Sequence, residues 1–181
     1  MLKLAILVGS LRKESINKKL ALNLVELGKD KFDATILPLD DIPMFNQDLE
    51  NNLPAPVVRL KEGIKAADAA LLVTPEYNRG VPPLLKNAVD WASRPYGAGV
   101  WLGKPAACCG ISPSPVGTAV AQSQLRSTLA IVGARLICFP EVYLVETPDF
   151  FDPAGKITAE RTRTYLRDFM GCLADWTLKL R

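Results

Sequence analysis

The sequence predicts an α/β domain in which a parallel sheet is wrapped by helices on both faces. Three observations carry that expectation. Short apolar runs recur along the chain, and each is followed by a segment with apolar residues at helical spacing. The runs are also apolar throughout rather than alternating, as strands covered on both faces must be. A parallel pair needs a crossover that returns the chain to the same end of the sheet, and a helix supplies it.

The first run spans Lys3 to Val8 and ends at Gly9-Ser10; a helix follows over Ser15 to Leu27, with Ile16, Leu20, Leu24 and Leu27 on one face. A second extended run, Ala34 to Leu39, leads into a polar, proline-punctuated stretch and then a helix over Val57 to Ala67. Ala69 to Thr74 is a strand closed by Pro75, and helical spacing resumes over Pro82 to Trp91. Pro105 to Gly110 and Thr118 to Val132 form the next strand and helix. Arg135 to Phe139 and Thr158 to Leu178 form the last pair. No repeat or linker interrupts the 181 residues, so one domain over 1–181 is expected.

Composition narrows the chemistry. Lys and Arg number 22 against 19 Asp and Glu, a net charge of +3 with no basic run, which points to small-molecule partners and to neither nucleic acid nor membrane. The chain has no histidine, which excludes a Ser-His-Asp triad, a Cys-His dyad and His-ligated zinc. Cys108, Cys109, Cys138 and Cys172 show no CxxC spacing and read as core thiols in a reducing compartment, with no metal site. The adjacent Cys108 and Cys109 point to opposite faces of their strand, which argues against a catalytic pair. The first apolar run is too short for a signal peptide or a membrane span, so a cytoplasmic protein is expected.

Ligands of open parallel sheets bind beyond the carboxyl ends of the strands, where strand order reverses. The first loop there reads GSLRKESIN over 9–17 and feeds a helix N-terminus, whose free N–H groups favour an anion. Ser10, Ser15 and Asn17 add hydroxyl and amide donors, and Arg12 a cationic fork. Neither GxGxxG nor GxxxxGK[ST] is present, so a single phosphate monoester fits better than a dinucleotide or a nucleoside triphosphate. The plainer alternative is that Ser15 only caps the helix while Arg12 and Lys13 stand in solvent. The loop over 74–83 has prolines near both ends, and Tyr77 and Asn78 suit the wall and edge of a planar heterocycle; it reads equally as a packed turn.

Taken together, GSLRKESIN and PEYNRGVPPLLKNAVDWASRP resemble the NADPH-dependent FMN reductase family, flavodoxin-like proteins that include chromate and quinone reductases. The similarity runs from about Leu4 through the fifth strand. It implies a three-layer flavodoxin-like sandwich with a five-stranded parallel sheet in the order 2-1-3-4-5. It also implies that Ser10, Leu11, Arg12, Ser15 and Asn17 hold the FMN phosphate, and that Pro75, Glu76, Tyr77, Asn78 and Arg79 hold the isoalloxazine ring. Ser112, in the loop Ile111 to Gly117, is the candidate on the ring's other side. Gly80 stands where many relatives have serine.

The activity implied is hydride transfer from NADPH or NADH to N5 of FMN, then reduction of a quinone, chromate or similar acceptor, in a homodimer or homotetramer. The flavin carries the chemistry and no catalytic side chain is required, which agrees with a chain lacking histidine. Arg79 at the loop tip reads either as a contact to the NADPH phosphates or as a solvated cation. Arg94 and Asp90 read as supports of a helix end or a subunit contact, and Trp91 as core or interface. Competing readings are an azo-compound reductase on the same fold, a flavodoxin-like electron carrier, and a flavin-dependent sensor. A carrier needs a strongly acidic docking surface, and +3 argues against it.

Overall fold

Strands that are apolar on both sides need cover on both sides, and the computed structural model, which describes residues 1–181, provides it. Its strands are β1 (Leu2–Val8), β2 (Phe32–Ile36), β3 (Ala69–Val73), β4 (Pro105–Ser112), β5 (Arg135–Leu136) and β6 (Val142–Val145). Its helices are α1 (Ile16–Leu27), α2 (Ala55–Ala66), α3 (Pro83–Ala92), α4 (Ala119–Ile131) and α5 (Glu160–Lys179), with a 3-10 turn at Gln47–Leu49. The sheet runs β2-β1-β3-β4-β5 with β6 beside β4, the order the resemblance implies, and every pairing is parallel.

Period-two alternation divides the core. Leu4, Ile6, Val8, Leu71, Val73 and Cys109 face α1 and α5, where Leu20, Leu24, Phe169 and Met170 cover them. Ala5, Leu7, Leu72 and Cys108 face α2, α3 and α4, where Ile64, Leu85, Val89 and Leu125 cover them. The two thiols therefore sit in different cores, as their adjacency in a strand requires, whereas Cys138 is exposed rather than the core thiol expected and Cys172 is half-buried. The register pairs Val8 with Val73, and Val73 with Cys109, so β1 and β3 end level and their loops open side by side.

Two strands differ most from the sequence expectation, and β4 runs two residues past its expected end at Gly110, to Ser112. β2 is Phe32–Ile36 rather than Ala34 to Leu39: Phe32 is buried opposite Leu2, and Pro38, without an N–H, ends the ladder after the Leu37 N–H reaches Ile6 O at 2.9 Å. The last strand, expected over Arg135 to Phe139, is split. β5 pairs with Pro105 and Ala106, and the Ile137 N–H adds one bond to Ala106 O. Pro140 then interrupts the ladder, and Val142–Val145 resumes it as β6 against Cys109 to Ser112. Gly110 lies in that paired stretch, and a Cβ there would overlap Thr74 O and Thr118 Oγ1, so only glycine lets β4 approach the end of β3.

Burial pushes the Cys108 thiol up to about 12 and raises Cys109 further, Arg126 opposing this in both. Because the folded values lie above the ordinary thiol value of 9.0, the stability these groups allow is whole below pH 9 and is lost as the pH climbs towards 12. Urea midpoints measured from pH 8 to pH 11 should therefore fall, and the Cys108→Ala/Cys109→Ala variant should fall less steeply.

Candidate functional site

The site begins where β1 ends. The Gly9 N–H donates to Val73 O at 2.9 Å, and a Cβ on Gly9 would lie 2.8 Å from Leu85 Cδ1 and from Pro82 Cγ. The start of α3 therefore packs directly on this turn, which only glycine permits. The chain then crosses the crest of the sheet to α1, where buried Ser15 is the N-cap and its Oγ accepts the Lys18 N–H at 3.2 Å. Ser10 Oγ accepts the Arg12 N–H at 3.4 Å.

The main-chain N–H groups of Leu11, Lys13, Glu14, Ile16 and Asn17 have no acceptor in the protein, and the first turn of α1 carries no acidic side chain. The Arg12 guanidinium makes no ion pair. A row of bare donors on the positive end of a helix, with a free guanidinium beside it, has the chemistry to accept a phosphate monoester. These residues fit the phosphate of FMN.

Asn17 contributes differently from what its side chain suggests. Its Nδ2 donates to Ile111 O at 2.9 Å and its Oδ1 accepts the Ile111 N–H at 3.1 Å, locking α1 to the end of β4. Both its Nδ2 and its Oδ1 are engaged there, and its main-chain N–H remains for the loop.

The second loop leaves β3 through Thr74, whose N–H donates to Cys109 O at 2.9 Å and whose Oγ1 donates to Pro75 O at 2.7 Å. Tyr77 and Gly80 then exchange both main-chain hydrogen bonds, at 3.2 and 3.0 Å, around Asn78 (φ 51°) and Arg79 (φ 60°). Two left-handed central residues make this a tight primed turn, which asparagine tolerates and arginine adopts at a cost of about 1 kcal/mol. Tyr77 is left half-exposed at 44%.

Glu76 faces away from the opening. Its side chain is 5% exposed; Oε2 accepts the N–H groups of Val120 and Ala121, each at 3.0 Å, and Oε1 pairs with Arg79 Nη1 at 3.3 Å. Gln124 holds the far side of the turn: its Nε2 donates to Arg79 O at 3.0 Å and its Oε1 accepts the Val81 N–H at 3.3 Å. Ser112 is buried at the end of β4, where its Oγ accepts the Ser114 N–H at 3.0 Å and shapes the third loop of the crest.

A cavity of about 400 Å³ adjoins the first two loops, lined by Leu11, Arg12 and Tyr77 on one side and by Leu39, Ile42 and Met44 on the other. Its outer wall is pinned to α3. Asn87 Oδ1 accepts the Phe45 N–H at 2.7 Å, and Asn87 Nδ2 and Trp91 Nε1 donate to Pro43 O at 2.9 and 2.8 Å. The Phe45 ring packs edge-on against Trp91 and lies 5.2 Å from the Arg94 guanidinium, which also pairs with Glu50. Arg94 and Trp91 are thus structural, and Asp90 pairs with Lys86 along the helix. Sequence reasoning missed the parts played by Asn87 and Gln124. An amide on the apolar stripe of α3 was a signal for Asn87; the exposed Gln124 gave none.

The family model described as NADPH-dependent FMN reductase matches residues 2–148. The chain is 44% identical over 175 residues to a 2-hydroxy-1,4-benzoquinone reductase of a Burkholderia species, covering 97% of this chain and 96% of that protein. It is 40% identical over 173 residues to a quinone reductase of Pseudomonas putida, covering 95% and 92% of the two chains. Its structure is similar to that of FerB, a flavoenzyme NAD(P)H:(acceptor) oxidoreductase from Paracoccus denitrificans, with a TM-score of 0.94 at 41% identity over 99% and 98% of the chains.

Replacing Asn17 by Leu leaves the Ile111 N–H and C=O buried without partners. The substitution should lower the unfolding free energy by about 2–3 kcal/mol, read from urea denaturation of the protein free of flavin.

Proposed function

The chain belongs to the NADPH-dependent FMN reductase family, and from that premise we propose that it takes hydride from NADPH or NADH onto bound FMN and passes the electrons to a quinone-type acceptor. One observation carries the reading: the row of unpartnered N–H groups opening α1 lies on the same crest as the rigid turn at Tyr77. When bound, FMN supplies the redox chemistry, accepting hydride and releasing two electrons.

The protein's own residues bind, orient and shield. Ser10, Leu11, Arg12, Ser15 and Asn17 hold the phosphate through hydroxyls, main-chain N–H groups and the Arg12 charge. Pro75, Tyr77, Asn78 and Arg79 present one edge of the ring slot and Ser112 the other, while Glu76 serves through its main chain. The Arg79 guanidinium is 60% exposed despite its pairing with Glu76 and remains available to the phosphates of the dinucleotide. Leu39, Ile42, Met44 and Leu84 give the adjoining cavity apolar walls suited to a flat ring, and the quinone reductases that the chain resembles support that acceptor class.

The whole chain, 1–181, acts as one domain, assembled as a homodimer or homotetramer in the cytoplasm. Four free cysteines, two of them deeply buried, support a reducing compartment, and no helix is long and apolar enough to cross a membrane.

Turnover tests the reading. Purified protein loaded with FMN and kept free of oxygen should lose its visible absorption when NADPH or NADH is added and regain it on addition of a benzoquinone, one quinone reduced per nucleotide oxidised. Protein that holds FMN but is bleached by neither nucleotide would contradict it.

A further inference from the structure

The buried carboxylate of Glu76 and the exposed amide of Gln124 have no place in a list of groups that touch a flavin, yet between them they hold the loop proposed to grip the ring. We infer that Glu76 and Gln124 are positioning residues, which fix the Tyr77–Gly80 turn to α4 and thereby set the slot for the flavin ring; the inference rests on the FMN reading above.

The helix N-terminus shows why the carboxylate sits where it does. Thr118, at the N-cap of α4, makes no side-chain cap; its Oγ1 instead accepts Gln122 Nε2 at 2.8 Å. The first N–H groups of α4 would be orphaned without another acceptor. Glu76 provides it from 44 residues away, taking the Val120 and Ala121 N–H groups at 3.0 Å each, with the negative charge on the positive end of the helix. The loop after β3 thus supplies the cap for the helix that follows the loop after β4, and the two walls of the slot move together.

Gln124 sits one turn further along the same helix and grips both flanks of the strained part. It donates to the carbonyl of Arg79, the residue with φ 60°, and accepts from the N–H of Val81, just beyond the turn. The turn's own bridge is only the Tyr77–Gly80 pair of bonds. A two-residue turn with a non-glycine residue in the left-handed region needs an outside restraint to persist. Four contacts from α4 and one from Arg79 to Glu76 are that restraint.

The test uses the full chain loaded with FMN. Gln124 is exposed, so Gln124→Met leaves α4 packed and folded. It should weaken FMN binding about fivefold and change the visible circular dichroism and midpoint potential of the bound flavin, with the thermal midpoint of the flavin-free protein little altered. Glu76→Ala should weaken FMN about tenfold or more, and Glu76→Gln, which keeps an oxygen acceptor for α4, should recover part of that loss. Gln124→Met with unchanged FMN affinity, dichroism and potential would overturn the inference. Failure of the unaltered protein to bind FMN would instead overturn the functional reading on which it rests.

Discussion

The structure depends on a helix N-terminus that is left electrically open. α1 begins with one donor satisfied by Ser15 and the rest bare, and no carboxylate in its first turn offsets the dipole. Its one buried amide, Asn17, is turned to Ile111 and cannot quench the neighbouring N–H groups. Such an arrangement is costly in water-poor surroundings unless an anion completes it. A phosphate monoester would do so with charge-assisted hydrogen bonds, and its position on the crest would then determine where any attached ring must reach.

The rest of the crest is built to be stiff around that point. Gly9 admits Pro82 and Leu85 against the first loop, and Gly110 admits the end of β3 against β4; in both places a single methyl group would force the elements apart. Asn87 and Trp91 fasten the segment at Pro43–Phe45 to α3, so the apolar cavity has a fixed wall rather than a floating loop. A site for flavin chemistry needs this kind of placement more than it needs titrating side chains, and a chain without histidine provides placement.

Much of this was legible in the sequence, and what was not has a physical cause. β1, β3 and β4 could be read because both faces are buried, which makes the runs continuous; Gly9 and Pro75 bound the first two, whereas β4 runs on through Gly110 to Ser112. β6 was missed because Pro140 breaks the ladder and the four residues that resume it look like loop. The two loops that carry Ser10, Arg12, Tyr77 and Asn78 could be located because each is contiguous and follows a strand end. The partners of Asn17, Glu76, Asn87 and Gln124 were not, since they lie 94, 44, 42 and 45 residues away and only the folded register brings them together. A motif shows which residues cluster; it does not show which side chains face the ligand and which face the scaffold.

The central claim is that the opening turn of α1 recognises a phosphate, and comparing FMN with riboflavin tests it most directly, because the two share a ring and differ only in that group. Each charge-assisted bond contributes about 1.5–3 kcal/mol, so isothermal titration should give FMN an affinity at least about a hundredfold above that of riboflavin. Equal affinities for the two flavins would contradict the account.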